Sequence, residues 1–183
     1  NIAIFASGEG TNALNIIQRF KNSAKVNVAL VVSNRGNAPV LLKASSENVS
    51  LMILGNKEFF SAPEFVEFLR KEDIDLIVLA GFLWLIPENL IRAFPNKIIN
   101  INPALLPKYG GKGMYGMNVH KAVLENKEGE SGISIHYVNE KFDEGEIIFR
   151  KKCTISPNET PESLAEKIQA MEHEYYPKII ESL

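Results

Sequence analysis

Through its first hundred residues the chain alternates short apolar runs with segments of helical spacing, and that alternation leaves few folds open. The runs are Asn1–Ala6, Val26–Val32, Val49–Leu54, Ile74–Ala80 and Ile98–Ile101. Each is short, apolar throughout and bounded by turn residues, so each reads as a buried strand. Between them, Ala13–Phe20 repeats Leu14, Ile16, Ile17 and Phe20 at helical spacing. Ala38–Glu47 reads as a second helix. Ser61–Lys71 reads as a third, with Ser61 as cap, Glu64 three residues on, and Phe65, Phe68 and Leu69 as its apolar face. Pro87–Phe94 reads as a short helix opened by proline. Apolar strands separated by helices predict an α/β fold: a Rossmann-like, mostly parallel sheet with helices on both faces.

After Pro107 the rhythm changes. Tyr109–Met117 contains Gly110, Gly111, Gly113 and Gly116 and reads as a loop. A short helix is expected over Val119–Asn126. Ser131–Val138 and Ile147–Ile155 alternate partially, which predicts antiparallel C-terminal strands. Thr160–Ser182 reads as a terminal helix, with Thr160 and Ser163 as caps and a bend at Pro177. A chain of 183 residues is expected to form one domain, 1–183, burying roughly 70% of its unfolded surface.

Composition narrows the class of function. A net charge of -2 gives no global electrostatic case for nucleic acid. The one cysteine, Cys153, excludes an intrachain disulfide and a cysteine-based metal site. There is no 18-residue apolar run and no signal-like start, so a cytoplasmic protein without membrane partners is expected.

Three places carry polar groups where an open α/β sheet binds ligands, at the carboxyl ends of its strands. The first is Ser7-Gly8-Glu9-Gly10-Thr11-Asn12, between a strand and a helix. Backbone N–H groups at a helix start attract anions, and Gly8 and Gly10 permit a tight turn. The spacing fits neither the dinucleotide fingerprint nor a nucleotide-triphosphate loop. A monophosphate site and a plain helix cap both remain open. The second place is Asn100-Ile101-Asn102-Pro103-Ala104-Leu105-Leu106-Pro107, just where the fifth strand ends. Alternation puts Asn100 and Asn102 on one side of the backbone. They are either donors for a developing oxyanion or partners of turn backbone. The third is Phe142-Asp143-Glu144-Gly145-Glu146, either a carboxylate for acid–base chemistry or a solvated hairpin turn. His120, His136 and His173 lack ligand spacing, and no metal is expected. Trp84, in Gly81–Pro87, either packs in the core or offers a wall for a planar ligand.

Taken in order, these pieces resemble one family over essentially the whole chain. They are Ser7-Gly8-x-Gly10-Thr11-Asn12, Ala80-Gly81-Phe82, Asn100-Ile101-x-Pro103-Ala104-Leu105-Leu106-Pro107-Lys108-Tyr109, Ser134-Ile135-His136-Tyr137-Val138 with Asp143-x-Gly145, and Gln169-x-x-Glu172-His173 with Tyr176-Pro177. The chain resembles the folate-dependent formyltransferases, in particular the phosphoribosylglycinamide formyltransferase family of purine synthesis. The resemblance implies a single formyltransferase domain, with a phosphate-binding half over 1–100 and a folate-binding, catalytic half over 101–183. It implies 10-formyltetrahydrofolate as formyl donor, glycinamide ribonucleotide as acceptor, no metal, and a monomer or homodimer. By position, Gly10, Thr11 and Asn12 would hold the phosphate, and Glu172 with Gln169 would contact the sugar or glycinamide. Leu83, Trp84, Leu85 and Ile86 would line the pterin pocket. Asp143 would close over the formyl group and pterin, and Asn100 would hydrogen-bond the formyl oxygen.

Two departures stand out. The family's Asn-Ile-His-Pro is here Asn-Ile-Asn-Pro, so Asn102 replaces the imidazole that serves as general acid. An amide donates a hydrogen bond but gives up no proton at ordinary pH. Weakened turnover with binding kept is therefore expected, with His120 or His136 as the imidazoles able to compensate. The alternatives are an impaired folate- or phosphate-binding homologue, or another 10-formyltetrahydrofolate-using formyltransferase or hydrolase. The second departure is Gly110–Met117, a glycine-rich loop longer than the family's.

Overall fold

The computed structural model describes residues 1–183. The chain divides into two compact units, Asn1–Asn100 and Ile101–Leu183. The first unit holds β1 (Ile2–Phe5), α1 (Thr11–Phe20), β2 (Val28–Ser33), α2 (Pro39–Ser46), β3 (Ser50–Ile53), α3 (Lys57–Phe60), α4 (Pro63–Lys71), β4 (Leu76–Leu79), α5 (Glu88–Ala93) and the start of β5 (Ile98–Asn102). Its strands lie in the order β3-β2-β1-β4-β5, and every neighbouring pair is parallel. The chain therefore winds outward from β1 through β2 to β3, then returns to β4 on the other side of β1. Loops that leave β1 and β4 diverge at that reversal, the place where doubly wound sheets hold ligands.

The all-apolar strands bury as their composition dictates. Ile4, Phe5, Ile77, Val78 and Ile99 are fully buried. An aromatic cluster of Phe5, Phe60, Phe65 and Phe82 closes this core, with ring centroids 5.4–6.3 Å apart. On α1 the buried set is Ala13, Ile16, Ile17 and Phe20, an i, i+3, i+4, i+7 stripe. Leu14, expected inward, falls beside that stripe and is half-buried. On α4, Val66 is buried and Phe68 only half so.

Two readings of this half need correction. β3 is not covered on both faces: Leu51 and Ile53 are 41% and 53% exposed, because this edge strand pairs only with β2. The expected helix over Ser61–Lys71 is α4, which starts at Pro63, and Ser61, expected as its cap, instead ends the separate short helix α3. Asn56 caps α3 by accepting from Phe59 N–H, and Ser61 ends that helix with its hydroxyl on Lys57 O at 3.0 Å. The next helix starts at Pro63, whose fixed φ suits the first helical position.

The second unit holds α6 (Met117–Glu125), β6 (Glu130–Tyr137), β7 (Ile147–Thr154) and α7 (Pro161–Ser182). β6 and β7 pair antiparallel from Glu130↔Thr154 to His136↔Ile147, with a register irregularity at Ile135/His136. Parallel strands followed by an antiparallel pair is the order expected from the sequence. Six successive residues of β6, Ser131–His136, are buried, while β7 exposes much of its length. α7 packs on β6 and α6. It opens with a reciprocal cap: Thr160 Oγ1 accepts from Ser163 N–H, and Ser163 Oγ accepts from Thr160 N–H. Pro177 lies inside the helix and is buried beside Tyr176. No helix is long and apolar enough to cross a membrane.

Candidate active site

The second unit brings three polar side chains together from distant parts of the sequence. Asn102 ends β5 and is 7% exposed. Asn100, two residues earlier and on the same side of the strand, is half-buried. Asn102 Nδ2 donates to Asp143 Oδ1 at 2.9 Å and lies 3.1 Å from His136 Nε2. The other ring nitrogen of His136, Nδ1, is 2.8 Å from the Tyr137 carbonyl oxygen. A carbonyl only accepts, so Nδ1 carries a proton; Nε2 accepts from Asn102 when it is unprotonated and faces Asp143 Oδ1, 3.7 Å away, when it is protonated. With Nε2 unprotonated, both amide hydrogens of Asn102 are engaged inside the protein. Rotating the amide would turn its oxygen toward the Asp143 carboxylate, so the hydrogen-bond network fixes its orientation.

Asp143 sits in the turn before β7 with φ 58, a left-handed conformation that Asp tolerates better than most residues. Its second oxygen, Oδ2, accepts from Gly111 N–H at 2.7 Å, which ties the glycine-rich loop to the site. Burial pushes the Asp143 carboxyl up. Hydrogen bonding from the His136 side, the Gly111 N–H and Asn102 outweighs burial, and the carboxyl is held below the usual carboxylate range. The turn fits because residue 145 is glycine: a Cβ there would stand 1.6 Å from Tyr137 O and 3.3 Å from His136 Nδ1. Ser134, fully buried on β6, pins the proline-bounded stretch after β5. Its hydroxyl donates to Ala104 O at 2.7 Å and accepts from Leu106 N–H at 3.0 Å. Arg150 of β7 donates to Leu106 O at 2.7 Å, and the Leu106–Pro107 peptide is cis.

Ser134 and His136 are the site residues that sequence reasoning left without a firm place. Their spacing of two on a strand was the available signal, because it puts both on one face. His120, the other imidazole considered, lies on α6 at 5% exposure, and its Nδ1 has no hydrogen-bond partner. Burial pushes its pKa down, so it is a neutral core residue. It is His136 that meets Asn102.

In the first unit, the loop after β1 runs into α1 through Gly10, at φ 68 and ψ 33. A Cβ at residue 10 would stand 2.3 Å from Val40 Cγ2, so only glycine lets the loop pass over α2. Thr11 and Asn12 form the first turn of α1, which has no acidic residue and no side-chain cap. Its positive end is thus presented by backbone. Ser7 couples this loop to the one after β4. Its hydroxyl donates to Asn34 Oδ1 at 2.6 Å and accepts from Leu83 N–H at 2.9 Å. Along Leu83–Ile86, Leu83 and Leu85 are 37% and 45% exposed, whereas the Ile86 side chain is buried. Trp84 joins the aromatic cluster, 5.8 Å from Phe60, with Lys57 Nζ above its ring. Ile86 and the Trp84 ring therefore pack toward the core.

On α7, Gln169 and Glu172 are one turn apart on one face, followed by Tyr176. Tyr176 is fully buried, and burial with the nearby Glu172 charge pushes its phenol well above the usual range. Nowhere do three or more His, Cys, Asp or Glu side chains group so as to hold a metal ion.

The family profile described as "Formyl transferase" matches residues 1–180. The chain belongs to the formyl transferase family. Within that family it is 39% identical to the chloroplastic phosphoribosylglycinamide formyltransferase of Arabidopsis thaliana, an alignment covering 98% of this chain and 63% of the plant protein. The chain thus spans less than two thirds of that relative. It is 34% identical to the phosphoribosylglycinamide formyltransferase of Bacillus subtilis, over 99% of this chain and 93% of that one. The crystal structure of the Bacillus halodurans phosphoribosylglycinamide formyltransferase superposes with a TM-score of 0.86 at 33% identity, covering 99% of this chain and 93% of that chain. The fold is that of the formyl transferases, parallel strands first and an antiparallel pair after them.

Proposed function

We propose that this chain transfers the formyl group of 10-formyltetrahydrofolate to the amine of glycinamide ribonucleotide, a step of de novo purine (IMP) synthesis. The observation that carries this reading is the Asp143 carboxylate, held ionised and bonded to the amide that ends β5, in a chain of the formyl transferase family. Relatives named for that activity support it.

In this reading Gly10, Thr11 and Asn12 hold the phosphate at the start of α1. Gln169 and Glu172 contact the sugar or glycinamide. Leu83, Leu85 and the backbone of Trp84 and Ile86 line the pterin. Asn100 donates to the formyl oxygen, and Asp143 closes over the formyl group. The amine nitrogen bonds to the formyl carbon, giving a tetrahedral intermediate whose oxyanion Asn100 stabilises. The bond from that carbon to N10 then breaks, its electron pair going to N10. One proton leaves the attacking nitrogen and one reaches N10.

No side chain at position 102 supplies that second proton, so water carries it. General acid–base help is worth about 10²–10⁴ in rate, and turnover is lower by a factor in that range than an imidazole at 102 would give. The test is incubation with both substrates. Formylated glycinamide ribonucleotide and tetrahydrofolate are expected in equal amounts. Tetrahydrofolate release without acceptor would mark a hydrolase instead. Tight binding of both ligands, with no turnover above solution background, would mark a binding homologue.

A further inference from the structure

Resting on that reading, we propose that Asn102 presents its carbonyl oxygen to the attacking amine, and that His136 is the positioning residue that fixes this polarity. With His136 Nε2 unprotonated, the tautomer the proposal requires, two acceptors face the Asn102 amide nitrogen: Asp143 Oδ1 at 2.9 Å and His136 Nε2 at 3.1 Å. They take both amide hydrogens. Asn102 Oδ1 makes no hydrogen bond within the chain, yet it is not among the buried polar atoms left unsatisfied, so it opens to solvent at the end of β5. An acceptor is therefore all that position 102 offers a ligand, where a protonated imidazole would offer a donor.

An acceptor suits the nucleophile. A primary amine that donates one N–H to Oδ1 has its lone pair held in one direction. As the nitrogen bonds to the formyl carbon it becomes cationic and a stronger donor. The contact tightens as the transition state is reached, which is the condition for a rate effect. Asn102 neither takes nor gives a proton in this step. It orients the nitrogen, and the proton leaves through water as before.

His136 sets the direction of the amide. It is 2% exposed, and its Nδ1–H is fixed on the Tyr137 carbonyl. Gly145 permits the turn that packs against that carbonyl. Were Nε2 the protonated nitrogen, two donors would face each other across 3.1 Å. The Nε2 proton would then turn to Asp143 Oδ1, 3.7 Å away, or the amide would turn its oxygen inward, onto that carboxylate.

The test pairs two variants of the full chain with a measurement on the unaltered protein. His136→Gln keeps an acceptor near the Nε2 position, and His136→Leu removes it. His136→Gln is expected to hold kcat close to wild type. His136→Leu is expected to lose about 10²-fold in kcat, the scale of a misplaced reactant, with KM for both substrates little changed. Nitrogen-15 NMR of the histidines should show His136 protonated at Nδ1 and unprotonated at Nε2. Equal loss in both variants overturns the proposal, as does a proton on Nε2. If His136→Leu does not fold, the tautomer and His136→Gln decide between them. If wild type forms no formylated product, it is the formyl-transfer reading that fails, and the tautomer still tests the polarity of Asn102.

Discussion

At residue scale the proposed chemistry turns on which atoms of Asn102 are already engaged. Asp143 holds one of its hydrogens and is itself held by Gly111 N–H. Asp143→Asn removes the charge and leaves two amides in competition for the same donors. We expect a loss of about 10²-fold or more in kcat, measured in steady state with both substrates saturating. Ser134 is the second sensitive residue. Ser134→Ala leaves Leu106 N–H without its buried acceptor, at a cost of about 1–3 kcal/mol in unfolding free energy by denaturant titration. The stretch Asn100–Pro107 was legible as a polar strand end because the apolar run stops there. Where the Asn102 hydrogens go was not, because the answer lies 34 residues on at His136 and 41 at Asp143. Local sequence carries no record of such a meeting.

At the scale of elements, the turn between β6 and β7 must press against the strand end that it follows. A methyl at residue 145 would stand 1.6 Å from Tyr137 O. Gly145→Ala is expected to destabilise the protein by about 2 kcal/mol or more. It should also depress kcat, because the carbonyl that moves is the one holding His136 Nδ1–H. A denaturant midpoint and a turnover assay on the same preparation check both. The turn was visible in Asp143-x-Gly145, but its contact with Tyr137 was not. Helical spacing located α1, although its inward stripe runs through Ala13 and not Leu14, and the caps Thr160 and Ser163 located α7. The spacing missed α3, whose four residues are too few for a period to show. It also overstated β3: an apolar run reads as buried on both faces, and nothing within the run says that it lies at a sheet edge.

At the scale of the whole molecule, acid stability follows from carboxylates paired in the folded state. Glu159 is lowered from 4.5 to about 2 by Lys167, then Ser163 and the Ser156 N–H, and Asp143 is lowered as well. A carboxyl that ionises more readily when folded adds stability that is fully present above its unfolded value. That stability is lost as pH falls through the folded value. Unfolding free energy should therefore decline from about pH 4.5 toward pH 2. Glu159→Gln should flatten that decline; a denaturant series at stepped pH measures it, and an unchanged slope would remove Glu159 from the account. The α/β class was legible because strand–helix alternation admits little else, whereas the order β3-β2-β1-β4-β5 was not, since other orders satisfy the same alternation. The central claim is that this is a formyl transferase whose rate is set by the amide at 102. Steady-state turnover of wild type and Asn102→His, with 10-formyltetrahydrofolate and glycinamide ribonucleotide, tests it directly. The account predicts measurable formyl transfer by wild type and a gain of about 10²-fold or more in kcat for Asn102→His, with KM little changed. No gain in kcat would contradict it.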